Sequence, residues 1–320
     1  MSNDVSRMNV LSVFDGMSCA QIALKKLGID CTYYASEIDP YAIKITQKNF
    51  PNTIQLGSVC DVTADSLPPI DLLIGGSPCQ GFSVAGRRLD FFDPRSKLFW
   101  EFVRLIKEVK PKWFLLENVK MKADCQSVIS EALGVQPVEI NSSLVSAQNR
   151  KRLYWTNIPF EGLPTDENKK LSEILESGVV TDRDKSFCLD ANFYKGGNLK
   201  SYFEKHRRQL VFSADGLAQI GIDCSGIKGH DSLKRIYSAS GKSPTLNQCN
   251  GGNREPKVAI DEVNKLWRKL SPLECERLQT VPDNYTDGVS NTQRYRMLGN
   301  GFTVDVIRHL LKNIPTEKGE

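Results

Sequence analysis

The stretch from Asp71 to Ser83 constrains the fold of this chain more than any other part of the sequence. An uninterrupted apolar run, residues 72–74, leads into a turn of glycine and proline that carries Cys79. Such a run is typical of a strand that is buried on both faces of a parallel sheet. Ligands of such sheets bind beyond the carboxyl ends of the strands, and a glycine-proline turn can direct one side chain outward. The stretch therefore predicts an α/β fold in which Cys79 lies at the sheet edge as a nucleophile.

A second apolar run, residues 113–116, ends directly in Glu117 and Asn118. If both runs are parallel strands, their carboxyl ends meet at the same edge of the sheet. A carboxylate and an amide are then expected beside Cys79, so that a thiol and an acid face one pocket.

The beginning of the chain predicts a strand, a glycine turn and a helix. Residues 9–14 form the predicted strand, the turn contains Gly16, and the helix is expected to end at Gly28. A second strand would end at Glu37, roughly 20 residues after the turn, where a carboxylate can accept hydrogen bonds from a ribose. Asp39 and Pro40 are expected to begin the next helix. A generic turn and a solvated carboxylate remain alternative interpretations.

Composition excludes several classes of protein. With 320 residues, 40% hydrophobic and 25% charged, the chain is long enough for one large and one smaller domain and is not disordered as a whole. No apolar run approaches the ~20 residues that span a bilayer, and the polar start is unlike a signal peptide, so secretion is not expected. Nine cysteines without paired spacing and three histidines predict neither a disulfide framework nor a metal site. A net charge of +4 permits nucleic acid as a partner without requiring it.

Three motifs in order resemble those of the DNA (cytosine-5) methyltransferase family. They are Pro78-Cys79-Gln80, Glu117-Asn118-Val119 and Gln148-Asn149-Arg150-Lys151-Arg152. Further segments resemble the family's third cofactor motif, its ninth motif and its closing Gly-Asn motif, at residues 57–62, 268–279 and 296–304. The opening, residues 14–18, and residues 302–307 are most similar to the eukaryotic de novo DNA methyltransferases. Residues 9–157 and 267–313 carry the resemblance well, and the middle of the chain carries it only in outline.

The resemblance implies a Rossmann-like fold that binds S-adenosylmethionine. This is a doubly wound, mostly parallel sheet joined to a smaller, irregular, β-rich target-recognition domain. The expected division places the catalytic and cofactor-binding domain at residues 1–158 and the target-recognition domain at 159–284, with residues 285–320 returning to the first domain.

The resemblance also implies the reaction and its residues. A methyl group would pass from S-adenosylmethionine to carbon 5 of a cytosine flipped out of duplex DNA at a specific short sequence, leaving S-adenosylhomocysteine. The implied catalytic residues are Cys79, Glu117, Asn118, Arg150 and Arg152. The implied cofactor-binding residues are Phe14, Asp15, Gly16, Met17, Ser18, Glu37, Ile38, Asp61, Val62 and Asn300. The implied substrate-binding residues are Gln80, Ser83, Arg87, Gln148, Thr245 and Leu246.

Several alternatives stay open at this point. Residues 82–96 are either a mobile lid over the substrate or a solvated basic segment, and the basic and aromatic residues between 194 and 208 suit either DNA contact or a plain charged helix face. A methyltransferase for RNA, an inactive DNA-binding relative and an unrelated thiol hydrolase are the competing functions. We expect a monomer in the cytoplasm of a bacterial or phage-infected cell.

Overall fold

A seven-stranded sheet lies at the centre of the computed structural model, which describes residues 7–77, 97–213, 236–238, 257–259 and 267–315. The strand order is β3-β2-β1-β4-β5-β7-β6. Five strands are parallel: β1 (Met8–Val13), β2 (Cys31–Ser36), β3 (Ile54–Gln55), β4 (Leu72–Gly75) and β5 (Trp113–Val119). The last two, β6 (Val138–Asn141) and β7 (Lys151–Thr156), complete one side of the sheet in antiparallel pairing. The predicted doubly wound, mostly parallel sheet is confirmed.

Helices cover both faces of this sheet. On one face lie α1 (Cys19–Lys26), α2 (Pro40–Asn49) and α9 (Val304–Leu311); on the other lie α3 (Lys97–Val109) and α4 (Ala123–Leu133). Successive strand residues point to opposite faces, so Leu72 and Leu73 enter different hydrophobic cores. Because each strand must be apolar on both sides, it appears in the sequence as an unbroken apolar run.

Local signals located most of the helix ends correctly. The Asp39 carboxylate accepts a hydrogen bond from the Tyr41 backbone, and Pro40 is the first residue of α2. Gly28, at φ +70°, follows the end of α1. Gly134, at φ +70°, follows the end of α4 in the same way.

The region beyond residue 158 contains a smaller antiparallel sheet of β8 (Val179–Val180), β9 (Leu210–Ser213) and β12 (Trp267–Lys269). Two further strands, β10 (Ile236–Ser238) and β11 (Lys257–Ala259), pair in parallel. The described helices of this region are α5 (Leu171–Ile174), α6 (Leu199–Lys205) and α7 (Pro272–Leu278). Helix α8 (Asn291–Asn300) lies in the segment that is predicted to return to the first domain. A few side chains, including Tyr202 and Phe212, form a local core, whereas Leu189 and Leu270 join the core over the large sheet. The division at residues 158 and 284 stays a prediction.

Within the described ranges, no helix is long and apolar enough to cross a membrane.

Candidate active site

Glu117 and Arg152 form an ion pair where β5 lies beside β7. The Arg152 Nε donates to Glu117 Oε1 at 2.9 Å, and both side chains are largely buried. Burial alone would lower the pKa of Arg152, but the adjacent Glu117 charge raises it overall, so the guanidinium keeps its charge. The second carboxylate oxygen, Oε2, lies 3.3 Å from the position that a Cβ would take on Gly76. The ion pair thus occupies one oxygen of Glu117 and leaves the other beside the end of β4.

Asn118 connects the ends of β4 and β5. Its side-chain amide donates to the Ser77 hydroxyl at 3.1 Å and to the Ser77 carbonyl at 3.3 Å, and both residues are buried. Ser77 stands two positions before Cys79 in the sequence. Asn118 therefore anchors the start of the turn that carries the predicted nucleophile. Six predicted residues lie outside the described residues: Cys79, Gln80, Ser83, Arg87, Thr245 and Leu246.

Phe302 is a site residue that the sequence analysis missed. A Cβ on Gly76 would lie 2.8 Å from Phe302 Cε1, so only glycine allows the ring to approach the end of β4 this closely. The ring is almost completely buried. Its place within the segment of the Gly-Asn motif was the only signal available, since a lone phenylalanine before a helix usually indicates core packing.

Arg150 and Gln148 are more deeply buried than the predicted catalytic and substrate-binding roles suggest. Arg150 is 3% exposed, and its guanidinium donates to the carbonyls of Leu189 (2.9 Å), Gly299 (3.2 Å) and Gly301 (2.9 Å). Gln148 is completely buried, and its side-chain oxygen accepts from the Leu189 backbone at 2.8 Å. These placements favour structural roles for both side chains.

Arg150 and Arg152 approach one common atom. Arg150 Nη1 lies 3.6 Å and Arg152 Nη2 lies 3.9 Å from the Cys188 sulfur. Sequence patterns gave no indication of Cys188, which stands far from every motif.

Asp15 organises the turn after β1 from inside the protein. Its buried carboxylate accepts hydrogen bonds from the hydroxyls of Ser12 (2.6 Å), Tyr33 (2.7 Å) and Ser18. Burial raises the pKa of Asp15 to about 6, against the opposing effect of these hydroxyls. The turn itself needs left-handed backbone at three positions, with φ of 56° at Phe14, 58° at Gly16 and 59° at Ser18. Met17 is buried within it, and the Met17 carbonyl accepts from the Tyr285 hydroxyl.

Glu37 joins this turn to the end of β2. One carboxylate oxygen accepts from the Gly16 backbone at 2.7 Å, and the other accepts from the Ile38 and Asp39 backbones at 2.8 Å each. The Glu37 carboxylate is only half-buried, and each oxygen keeps some capacity to accept from a ligand. Ile38 is 74% exposed, which is unusual for a large apolar side chain.

Asp61 lies at the same edge, in a 3-10 turn formed by Val59–Asp61. Its side chain is exposed, whereas that of Val62 is buried. Arg104, on α3, donates to the carbonyls of Val59 (3.1 Å) and Val62 (2.9 Å) and so fixes the position of the turn. Arg104 gave no signal of this role in the sequence, because it stands far along the chain in an ordinary amphipathic helix.

Asn300, the last residue of α8, is exposed at the carboxyl end of that helix. The described part of the chain contains no cluster of three or more histidine, cysteine or acidic side chains that could hold a metal ion.

Comparison with known proteins identifies the family. The family described as C-5 cytosine-specific DNA methylase matches residues 8–316, which is almost the whole chain. The chain belongs to this family of DNA (cytosine-5) methyltransferases.

Curated relatives match this methylase over nearly their full length. It is 28% identical to the orphan methyltransferase M.Rho11sI of Bacillus phage rho11s, with 97% of this chain and 98% of the relative covered. It is 26% identical to the type II methyltransferase M.HhaI of Haemophilus parahaemolyticus, with 96% and 94% covered.

Solved structures share the fold of this methylase. The Entamoeba histolytica methyltransferase EhMeth superposes with a TM-score of 0.62 at 18% identity, covering 96% of this chain and 98% of that one. A mutant of Spodoptera frugiperda DNMT2 superposes with a TM-score of 0.59 at 20% identity, covering 95% and 98%. The predicted family and fold are therefore confirmed.

Proposed function

We propose that this methylase transfers a methyl group to carbon 5 of a cytosine flipped out of duplex DNA at a specific short sequence, through a covalent bond between Cys79 and carbon 6. The observation that carries the proposal is the arrangement around Glu117. Its carboxylate is held by Arg152 beside the end of β4, and Asn118 anchors the residue two positions before Cys79.

The chemistry requires an attacking thiolate and an acid that act on the same cytosine ring. Carbon 5 of cytosine is a poor nucleophile, so the ring must first lose its aromatic character. Cys79 adds to carbon 6 while Glu117 holds or protonates nitrogen 3, and carbon 5 becomes an enamine carbon able to attack a methyl group. Carbon 5 takes the methyl group, with S-adenosylhomocysteine as the leaving group. A base then removes the proton from carbon 5, the bond from carbon 6 to sulfur breaks with departure of the thiolate, and nitrogen 3 returns any proton it received to Glu117.

The residues at the ends of β1 and β2 fit the adenosyl part of S-adenosylmethionine, the methyl donor that the family implies. Glu37 retains acceptor capacity for ribose hydroxyls, and the exposed Ile38 offers an apolar surface to the adenine ring. Asp61, fixed in place through Arg104, can accept from the adenine amino group. When bound, S-adenosylmethionine supplies an electrophilic methyl group on a sulfonium centre.

Duplex DNA is the proposed partner, and the region beyond residue 158 is proposed to hold the opened duplex. A cytosine inside a duplex cannot reach a buried pocket, so it must leave the stack. Basic and aromatic residues of this region, such as Phe203 and Arg207, are exposed and suit contact with phosphates and bases. The phage and bacterial sources of the two curated relatives support a modification enzyme in the cytoplasm of a bacterial or phage-infected cell. We propose that it acts there as a monomer.

The decisive experiment uses S-adenosylmethionine with a labelled methyl group. The purified protein is incubated with duplex DNA or with tRNA, and the nucleosides are analysed by mass spectrometry. Labelled 5-methyldeoxycytidine is the expected product. Label in tRNA alone would replace DNA with RNA as the substrate, and label in neither would favour a binding role.

Cys79→Ala tests the nucleophile separately. We expect it to abolish turnover while S-adenosylhomocysteine still binds. Retained turnover would exclude Cys79 as the nucleophile.

A further inference from the structure

The carboxyl end of α8 lies between the proposed cofactor edge and the pocket around Glu117. We propose that Arg150 is a positioning residue that holds this helix end in place for cofactor binding, distinct in role from Arg152. The inference rests on the proposed function.

Arg150 caps the helix with its charged side chain. The last carbonyls of a helix have no partners within the helix, and a cation there also interacts favourably with the helix dipole. Arg150 donates to Gly299 with both terminal nitrogens, at 3.2 Å each, and to Gly301 at 2.9 Å. Gln279 donates to the Leu298 carbonyl at 2.6 Å. The two side chains together satisfy carbonyls that would otherwise be buried without partners.

Arg150 donates hydrogen bonds to the two residues that flank Asn300. Gly299 precedes it and Gly301 follows it, so a single guanidinium restrains the backbone on both sides of an exposed side chain that the family resemblance assigns to the cofactor. The backbone at Gly301 also lies against the turn after β1, because a Cβ there would lie 3.2 Å from Met17 Cε. Displacement of this helix end would therefore disturb the cofactor edge directly.

The same helix end reaches the pocket through Phe302, whose ring lies against Gly76. On the opposite side, Arg150 donates to the Leu189 carbonyl at 2.9 Å, and the backbone of Asp190 packs against Gly299 so closely that no side chain fits there. Arg150 thus connects three separate segments of the chain at one point.

Arg152 stands only two positions further on, and apart from the Cys188 sulfur that both arginines approach it makes different contacts. Its Nε pairs with Glu117, and its pKa is raised by that charge. By contrast, the pKa of Arg150 is lowered by burial and by the charge of Arg152, and its donors go to backbone carbonyls. The two arginines of one motif should therefore produce different kinetic defects when they are changed.

The experiment compares three arginine-to-lysine variants that all keep the positive charge. Arg150→Lys replaces a planar fork of two terminal nitrogens with one ammonium nitrogen on a shorter side chain, so the paired donation to Gly299 is lost. Arg152→Lys loses its directed pairing with Glu117. Arg277→Lys is the matched control, because Arg277 also donates to a carbonyl, that of Ile174 at 3.1 Å, but lies on α7 and has no proposed role in the site. Binding of S-adenosylhomocysteine is measured by titration calorimetry, and kcat and KM are measured with duplex DNA.

We expect Arg150→Lys to weaken S-adenosylhomocysteine binding by about tenfold or more, the loss of about one charge-assisted hydrogen bond, and to raise the KM for S-adenosylmethionine more than it lowers kcat. Arg152→Lys should lower kcat and leave the affinity for S-adenosylhomocysteine within about threefold of wild type. Arg277→Lys should match wild type in both.

Two results would overturn the inference. One is wild-type affinity in Arg150→Lys together with a loss of kcat like that of Arg152→Lys. The other is a lower binding stoichiometry with unchanged affinity, which would mean that part of the protein is unfolded and the folded part is intact. If wild-type protein itself does not bind S-adenosylhomocysteine, the proposed function fails before this inference is reached.

Discussion

Each oxygen of Glu117 has a different environment, and this asymmetry matters at the scale of single residues. Arg152 holds Oε1 at 2.9 Å, and Oε2 lies beside Gly76. An acid that donates to one atom of a cytosine ring needs this kind of fixed orientation, because proton transfer requires the donor to lie within hydrogen-bond distance of the acceptor before its pKa matters.

Glu117→Gln tests the acid with little change in shape. The amide cannot transfer a proton to nitrogen 3, so kcat should fall by at least about 100-fold while S-adenosylhomocysteine binding is retained. Methyl transfer to duplex DNA at saturating cofactor is the measurement. Glu139→Gln is the control, because the exposed Glu139 only pairs with Lys120 at the surface. Activity of Glu117→Gln within a few-fold of wild type would exclude the acid role.

Asp15 should make the stability of the protein depend on pH. Its pKa rises from 3.8 to about 6 on folding because the carboxyl is buried, so the folded state binds more protons than the unfolded state between these values. The stabilising effect of the protonated form is complete below about pH 4 and is lost as the pH rises through about 6. As the pH rises from about 4 through about 6, the free energy of unfolding of the wild type should fall by up to about 3 kcal/mol relative to that of Asp15→Asn. Urea unfolding at several pH values measures the difference, and a difference independent of pH would contradict the expectation.

At the scale of elements, α8 packs closely against the segment at Asp190. Gly299 lies in the last turn of α8, where an added Cβ would overlap the backbone of Asp190 and Ala191. Backbone cannot move aside as a flexible side chain can. The helix and the segment are therefore fitted to each other at this glycine.

Gly299→Ala should lower the free energy of unfolding by about 3 kcal/mol, because a methyl group has to be forced into a closed contact. Gly134→Ala is the matched control. Gly134 also ends a helix, at φ +70°, but has open space around it, so only the cost of left-handed backbone, about 1 kcal/mol, is expected. Urea unfolding of both variants gives the comparison, and equal losses would show that the contact at Asp190 adjusts easily.

At the scale of the whole molecule, one hydrophobic core runs through parts of the chain that are far apart in sequence. Val10, Leu189, Leu270 and Leu310 all belong to it. Leu189 and Leu270 lie in the second region, which is residues 159–284 in the predicted division of the chain. Unfolding of that region would therefore expose part of the core over the large sheet.

We therefore expect the described parts of both regions to unfold together. Tryptophan fluorescence, which reports the buried Trp155 in β7 among other sites, and far-ultraviolet circular dichroism should give coincident urea transitions. Two separated transitions would instead support a second region that folds independently of the large sheet.

The sequence by itself determined the parallel sheet, the cap at Asp39 and the family. Strand runs, helix caps and glycine turns depend on neighbours within a few residues, so a linear pattern contains them. The order of the motifs along the chain identified the family for the same reason, since order is itself a property of the sequence.

The tertiary structure decided how the motif residues are used. Only folding revealed that Arg152 pairs with Glu117 while Arg150 caps α8, and only folding brought Phe302 against Gly76. These contacts join residues separated by tens to hundreds of positions, and a side chain two residues further along a strand can face the same way yet meet different partners. Which partner it meets depends on how the distant segments pack, because a buried polar group can only use the hydrogen-bond partners that packing brings to it.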